Sequence, residues 1–298
     1  MGTSKSYGGP ASGLVPSFVD SPASPVLSKP PVASPLIPAT PSLPVTPTVP
    51  DGLPRPEPVS PAPPLPAQPD AGGTGGLGLA RRSFSRFART GSRNALGRAL
   101  SHYVRHGTGS ARHAARRMGS SKATATGLLS VVRDHQQLGP TAVLRQLNLS
   151  GLSGRPAADV FLAMLEFFCP PGGAIDEAIA RQAMLDTIGD MADSGVGNFD
   201  TLTSTQLRDF FLDFIARSIE ARVMADLGRR GITLPNELAA VEYAQAQLHD
   251  FVTGATRGQL RDLLDGVERL SDEQLETTVD EIYEAAFELV AAAGEAVA

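Results

Sequence analysis

The most reactive group that the sequence suggests is the α-amine of Gly2. The chain opens MGTSKS, and a small second residue allows removal of Met1, which leaves Gly2 with a free amine. The pKa of an α-amine lies between about 7.7 and 8.0, so about a tenth of it is neutral at pH 7. Glycine also has no Cβ that would obstruct a partner's active site. We therefore predict a nitrogen nucleophile at Gly2, although MGTSKS also matches the N-myristoylation pattern.

The histidines and the one cysteine are weaker candidates for metal binding or catalysis. His102 and His106 are four residues apart, a spacing that zinc sites on helices can use, but arginines surround them and no carboxylate completes a site. We predict solvated or phosphate-facing rings there and no bound metal. Cys169 follows two phenylalanines and is predicted to be a buried, inert thiol. His249 is predicted to lie on a helix surface rather than to act as a base.

Catalytic motifs do not appear elsewhere in the sequence. There is no phosphate-binding loop of the P-loop type, no GxSxG elbow and no HExxH zinc motif. The carboxylates of the C-terminal half are spread along helices rather than paired in a recognisable motif, which is typical of a solvated face. We predict that the chain is not an enzyme and binds no cofactor.

Charge is distributed unevenly along the chain. Residues 80–135 contain 12 Lys and Arg against one Asp, whereas residues 136–298 contain 11 Lys and Arg against 26 Asp and Glu. Such a basic segment can neutralise phosphates and release their counterions, so one hypothesis is a nucleic-acid-binding adaptor that uses residues 81–122. An acidic partner, or the chain's own acidic region, would satisfy the same charges, and no known nucleic-acid motif is visible. The arginines predicted to contact phosphate or an acidic partner are Arg81, Arg82, Arg105, Arg112, Arg116 and Arg117.

A proline-rich arm, residues 1–79, would present Gly2. Of the 25 prolines, 20 precede residue 71, and from Pro35 to Pro50 they recur at every third residue, the repeat of polyproline II. The arm has too few apolar residues to offset its ordering entropy, so we predict an extended, disordered tail with a glycine-rich hinge at residues 72–78. It would act as a plain spacer or as a PxxP ligand for an aromatic groove.

Helical periodicity begins beyond the hinge. Within a basic neck, residues 80–135, an apolar stripe predicts a short helix that ends at the glycines of 107–109, and a second helical piece follows over 111–118. The stripe consists of Leu96, Ala99, Leu100 and Tyr103.

The remaining residues, 136–298, form an acidic bundle of six or seven predicted helices with almost no strand signal. Apolar stripes recur at helical spacing, and Ser271 and Gln274 match a capping box. Stops are predicted at residues 170–173, at 195–197 and at Gly228. The predicted fold class is therefore all-α, with the bundle preceded by the neck and the arm. One cysteine, no secretory signal and no long apolar run predict a soluble, cytoplasmic protein without a membrane partner.

Several stretches together resemble the QatB family of bacterial Qat anti-phage systems. They are the MGTSKS start, the proline-rich run, the all-helical remainder and residues 86–121, RFARTGSRNALGRALSHYVRHGTGSARHAARRMGSS. The first six residues and the stretch at 86–121 carry the resemblance most specifically, whereas the acidic bundle agrees only in class. Tyr7 departs from the family pattern, in which another small polar residue is expected at this position.

The resemblance implies a non-enzymatic subunit that works beside an ATPase, a QueC-like enzyme of the QatC type and a TatD-like nuclease. In such systems the QueC-like partner is expected to activate 7-carboxy-7-deazaguanine with ATP, and a glycine amine then attacks the acyl-adenylate. Carried over to this chain, Gly2 would be the acceptor and would carry a covalent 7-amido-7-deazaguanine. Thr3 and Ser4 would enter the partner's pocket behind it.

Overall fold

The computed structural model describes residues 74–170, 172, 174–228 and 238–298. Within these ranges the chain folds into ten α-helices and contains no β-strand, which confirms the predicted all-α fold class. The helices are α1 (Thr74–Thr90), α2 (Arg93–His102), α3 (Ala111–Arg116), α4 (Gly119–Leu138), α5 (Pro140–Gln146), α6 (Ala157–Phe168), α7 (Ile175–Asp193), α8 (Ser204–Gly228), α9 (Leu238–Asp262) and α10 (Asp272–Ala296).

Short turns of tighter or wider helix join some of these elements. A π-helical turn, Tyr103–Gly107, continues α2, and 3₁₀ turns occupy Ser150–Leu152, Phe199–Thr201 and Val267–Arg269. An antiparallel bridge links Pro156, just before α6, to Asn198, between α7 and α8. Such turns change the direction of the chain without leaving backbone groups unpaired.

Helix ends follow the local signals in the sequence. The Ser271 hydroxyl accepts from the backbone N–H of Gln274 at 3.4 Å, and the Gln274 side chain accepts from the Ser271 N–H at 2.8 Å, so the predicted capping box is confirmed. Two of the predicted stops are also confirmed, because α6 and α7 end at Phe168 and Asp193. The predicted stop at Gly228 stays a prediction, because Gly228 is the last described residue of α8. Caps of this kind are worth about 1 kcal/mol each.

The longest predicted stripe forms the centre of the core. Leu207, Phe211 and Ile215 on α8, and the apolar residues that continue the stripe to Leu227, are at most 1% exposed. α8 packs against α4, α7 and α9, while α10 packs against α2, α3, α4 and α9. Full burial of one such side chain contributes about 1.5–3 kcal/mol, so these two helices organise the body.

The basic neck belongs to this same core. Its predicted stripe is buried, Phe84 and Phe87 are each 1% exposed, and all of them join the apolar cluster formed by the acidic bundle. The expected boundary at residues 135 and 136 falls inside α4. Because one helix crosses the boundary and one core spans it, the described part of the neck is not a separate body.

The predicted hinge needs a correction. α1 begins at Thr74, so Gly75, Gly76 and Gly78 are helical and the hinge does not extend to residue 78. Leu77 packs against the core and lies so close to Gly107 that a Cβ there would come within 2.9 Å of the Leu77 side chain. This packing outweighs the low helix propensity of glycine, which costs about 1 kcal/mol per residue relative to alanine. The predicted arm up to residue 73 lies outside the described residues.

Candidate functional site

Cations of the basic neck lie along the acidic face of α10. Arg105, which leaves the π-helical turn, donates two hydrogen bonds to the Glu288 carboxylate, at 2.7 and 2.9 Å, and a third to Glu295 at 2.9 Å. Hydrogen bonds to these two carboxylates raise the pKa of Arg105. Two-pronged contacts of this kind are the strongest form of surface ion pair.

Two further pairs continue along the same helix. Arg112 lies 3.2 Å from a Glu284 carboxylate oxygen, and Lys122 lies 2.7 Å from Asp280. The α10 carboxylates at positions 280, 284 and 288 are four residues apart and therefore share one face. The acidic helix thus offers a row of carboxylates that receives successive cations of the neck.

A buried carboxylate on α8, Asp226, receives one further cation of the neck, Arg117. The Asp226 side chain is 4% exposed and accepts from the Tyr103 hydroxyl at 2.8 Å, from Arg117 at 3.1 Å and from Arg222 at 3.3 Å. Burial, together with the adjacent Asp226 charge, raises the pKa of Tyr103, so its hydroxyl stays protonated and donates. Arg81 donates to the backbone carbonyls of Asp226 and Leu227, at 2.9 Å each. These contacts tie α1, the π-helical turn and the segment after α3 to the C-terminal end of α8.

The six arginines predicted as contact residues therefore divide into two groups. Arg81, Arg105, Arg112 and Arg117 face acceptors of the chain itself. Arg82 and Arg116 are exposed, and no carboxylate of the described residues pairs with either. For the first group, the geometry favours the chain's own acidic region over an external partner. The three other predicted site residues, Gly2, Thr3 and Ser4, lie outside the described residues.

The remaining residues singled out in the sequence have structural surroundings. The rings of His102 and His106 have centroids 5.6 Å apart, and burial, followed by the neighbouring His106 and Arg98, lowers the pKa of His102. No group of three His, Cys, Asp or Glu side chains within the described ranges could hold a metal ion. Cys169 is 4% exposed, as predicted, and burial raises the pKa of its thiol.

His249 is placed differently from its prediction. Its side chain is only 23% exposed, because α9 packs on α8 and brings Nδ1 to 2.8 Å from Glu220 Oε1. The hydrogen bond to Glu220 raises the pKa of His249, and burial raises the pKa of Glu220. The predicted helix-surface position is therefore wrong in part: the ring joins two helices. Sequence reasoning had no signal for this pair, since its members are 29 residues apart.

A cleft between α7, α8 and α9 was also not predicted. It has a volume of about 220 Å³, and its charged lining comes from Asp190, Asp209, Asp213 and Arg257. Arg257 lies 3.4 Å from Asp213, and burial raises the pKa of that carboxyl. The i,i+4 spacing of Asp209 and Asp213 on a helix was visible in the sequence, but the cation from α9 was not.

Comparisons with known proteins place the chain in one family. None of the helices in the described ranges is long and apolar enough to cross a membrane. No curated protein and no solved structure matches the chain. A family model described as Qat anti-phage system associated protein QatB matches residues 109–290, which is more than half of the chain. The match spans the paired cations from Arg112 onward, α8 and most of α10, so the chain belongs to the QatB family and is a component of the Qat anti-phage system.

Proposed function

We propose that this chain is a non-enzymatic accessory subunit of its defence system and that its Gly2 amine is the acceptor for a deazaguanine. The observation that carries the proposal is the QatB family match over residues 109–290. The MGTSKS start adds the acceptor, since it supplies an unhindered amine behind a removable Met1. The partner is a QueC-like enzyme, and the system's ATPase and TatD-like nuclease are its further associates.

The proposed modification is an acyl transfer to nitrogen. The QueC-like partner joins the carboxyl group of 7-carboxy-7-deazaguanine to AMP, with release of pyrophosphate from ATP. The neutral amine of Gly2 attacks the carbonyl carbon, an amide C–N bond forms, and AMP leaves with the bonding electron pair while the nitrogen loses a proton. The low pKa of an α-amine relative to lysine favours this site over the side chains of Lys5 and Lys29. Thr3 and Ser4 follow Gly2 into the pocket.

Features of the folded body support an accessory role. Two buried carboxylates of α8, Asp226 and Glu220, are engaged in contacts that join helices. The body is thus suited to carry the arm and to dock on other subunits.

Intact mass measurement tests the proposal. The chain is co-expressed with the other components of its system, and the N-terminal peptide is sequenced by tandem mass spectrometry. We expect loss of Met1 and a gain on Gly2 equal to the mass of 7-carboxy-7-deazaguanine less one water. A Gly2→Pro variant, which presents a hindered secondary amine, should lose the gain, whereas Gly8→Ala should keep it. An unmodified Gly2 in a system that protects cells from phage would refute the proposal.

A further inference from the structure

Three arginines form a row along the solvent side of α1. Arg82, Arg86 and Arg89 are four and three residues apart, which places them on one side of the helix over about 10 Å of its length. All three are exposed, whereas Phe84 and Phe87 on the opposite side are each 1% exposed. The core therefore fixes the side of α1 that faces outward, and this arginine row occupies it.

The arginine row has no carboxylate partner among the described residues. α1 and α2 together contain six arginines and no Asp or Glu. Arg82 Nε donates to the Gly78 carbonyl at 3.3 Å, and Arg89 Nε donates to the Ser85 carbonyl at 3.2 Å. Each of these bonds reaches one turn back on the same helix, and both side chains remain exposed. Arg105, by contrast, is held by two glutamates of α10.

A phosphodiester backbone fits the chemistry and the length of the arginine row. Guanidinium groups remain charged at every physiological pH and bind two phosphate oxygens at once. A strand of duplex DNA carries one phosphate per about 3.4 Å of helix axis, so about 10 Å of α1 can meet about three of them. No described aromatic side chain is exposed on α1, so nothing there would read bases.

Two other anionic partners fit less well. Protein interfaces usually have an apolar centre, and the exposed large apolar residue in the described part of α1 is Leu79 alone, at 42%. A membrane-surface helix inserts an apolar face among lipids, but the apolar face of α1 is covered by the core. Neither an acidic protein nor an anionic bilayer therefore matches this surface as a nucleic acid does.

We propose that the arginine row of α1 is a sequence-independent docking surface for the phosphodiester backbone of a nucleic acid. The acidic face of the bundle repels the same ligand, so the nucleic acid meets the molecule in one orientation. Arg105, Arg112 and Arg117 take no part, because carboxylates of the chain already hold them. The surface does not depend on modification of Gly2.

Fluorescence anisotropy of the full chain with labelled nucleic acid tests this proposal. The probes are a single-stranded DNA, its duplex and the RNA of the same sequence, titrated at low and at physiological salt. We expect binding at low salt, with a slope of log K against log salt of about −2 to −3 for three phosphate contacts. The triple variant R82Q/R86Q/R89Q should bind at least about tenfold more weakly and lose most of that slope. The ranking of the three probes identifies the class of nucleic acid.

A charge-matched variant is the control. R145Q/R155Q/R269Q removes the same charge from exposed positions of the acidic bundle and should change affinity less than about twofold. Equal losses in both triple variants, or no binding by the unaltered chain at low salt, would overturn the proposal. Competition by a polyglutamate peptide as strong as that by unlabelled DNA would also overturn it, since an acidic protein would then be the ligand. If the triple variant does not fold, the single variant R86Q replaces it. R86Q should make the slope of log K against log salt less steep by the contribution of one phosphate contact.

Discussion

The basic neck contains cations of two kinds that the sequence does not distinguish. Four of them lie against carboxylates of α8 and α10 at distances of 2.7–3.2 Å: Arg105, Arg112, Arg117 and Lys122. On α1 the arginines of the row are exposed, and two of them, Arg82 and Arg89, bond to carbonyls of their own helix. The paired cations hold the body together, and the row is available to a ligand. Net charge summed over a segment therefore indicates a partner only after internal pairs are subtracted.

Among variants of the paired cations and their carboxylates, removal of the buried carboxylate Asp226 should have the largest effect on stability. Asp226→Ala removes the acceptor of the buried Tyr103 hydroxyl and a carboxylate partner of Arg117 and Arg222. Arg222 keeps its second carboxylate, Asp176. We expect a loss of about 2–4 kcal/mol in the free energy of unfolding, because the buried Tyr103 hydroxyl is left unsatisfied and two charge-assisted hydrogen bonds are lost. Urea unfolding followed by circular dichroism measures it.

Asp262→Ala, at an exposed position without an ion pair among the described residues, is the matched control and should lie within about 0.5 kcal/mol of the parent. A loss under about 1 kcal/mol in Asp226→Ala would mean that the pairs are not what fixes the neck to α8.

The next test concerns the backbone contact between the neck and the acidic bundle. A Cβ at Gly294 of α10 would lie 2.5 Å from the carbonyl oxygen of Gly97 in α2. Gly294→Ala should push the two helices apart and cost about 1–3 kcal/mol of unfolding free energy. Gly254→Ala on α9 is the control, because a Cβ there meets nothing within 4 Å. The control should stabilise the chain by up to about 1 kcal/mol, so the two variants should shift the urea midpoint in opposite directions.

A smaller effect on stability is expected at Arg105, whose glutamate partners are exposed. Arg105→Gln removes contacts to Glu288 and Glu295, whose side chains are 52% exposed. The loss should be about 0.5–1 kcal/mol at low salt and should shrink as salt screens the glutamates. Urea unfolding at two salt concentrations measures this, with Arg116→Gln as the unpaired comparison. A loss that is independent of salt would show that Arg105 acts through packing of its stem.

The smallest effect on stability is expected from the arginine row of α1. R82Q/R86Q/R89Q removes three unpaired charges, and glutamine has nearly the helix propensity of arginine. Thermal unfolding of this variant should match the parent within about 0.5 kcal/mol. A large destabilisation would show that the arginine row is structural, and it would remove the distinction between the two kinds of cation.

Local signals made most of the fold predictable. The stripe from Leu207 to Leu227, the capping box at Ser271 and the stops after Phe168 and Asp193 depend on neighbours within a few residues. These features follow from helical spacing and from unpaired backbone groups at helix ends. The start of α1 was missed because its glycines argue against a helix locally, whereas the packing of Leu77 that stabilises it is a tertiary contact.

The site was less predictable for the same reason. Tyr103 was expected on an apolar stripe, and it is buried, but its hydroxyl bonds to Asp226, 123 residues away. Arg105 and Arg82 look alike in the sequence, and only the position of α10 makes one paired and the other exposed. Gly2 was chosen from amine chemistry and from a family resemblance, and it remains a prediction.

The burial of Cys169 makes the labelling rate of its thiol a measure of how often the fold opens. It is the single thiol of the chain, 4% exposed, and its hydrogen bond to Thr124 lies between α4 and the end of α6. An alkylating reagent can reach the sulfur only when these elements separate, and burial keeps the reactive thiolate scarce until then. The rate of labelling, read as one added mass, therefore reports how often the body opens, with or without a nucleic acid or another subunit bound.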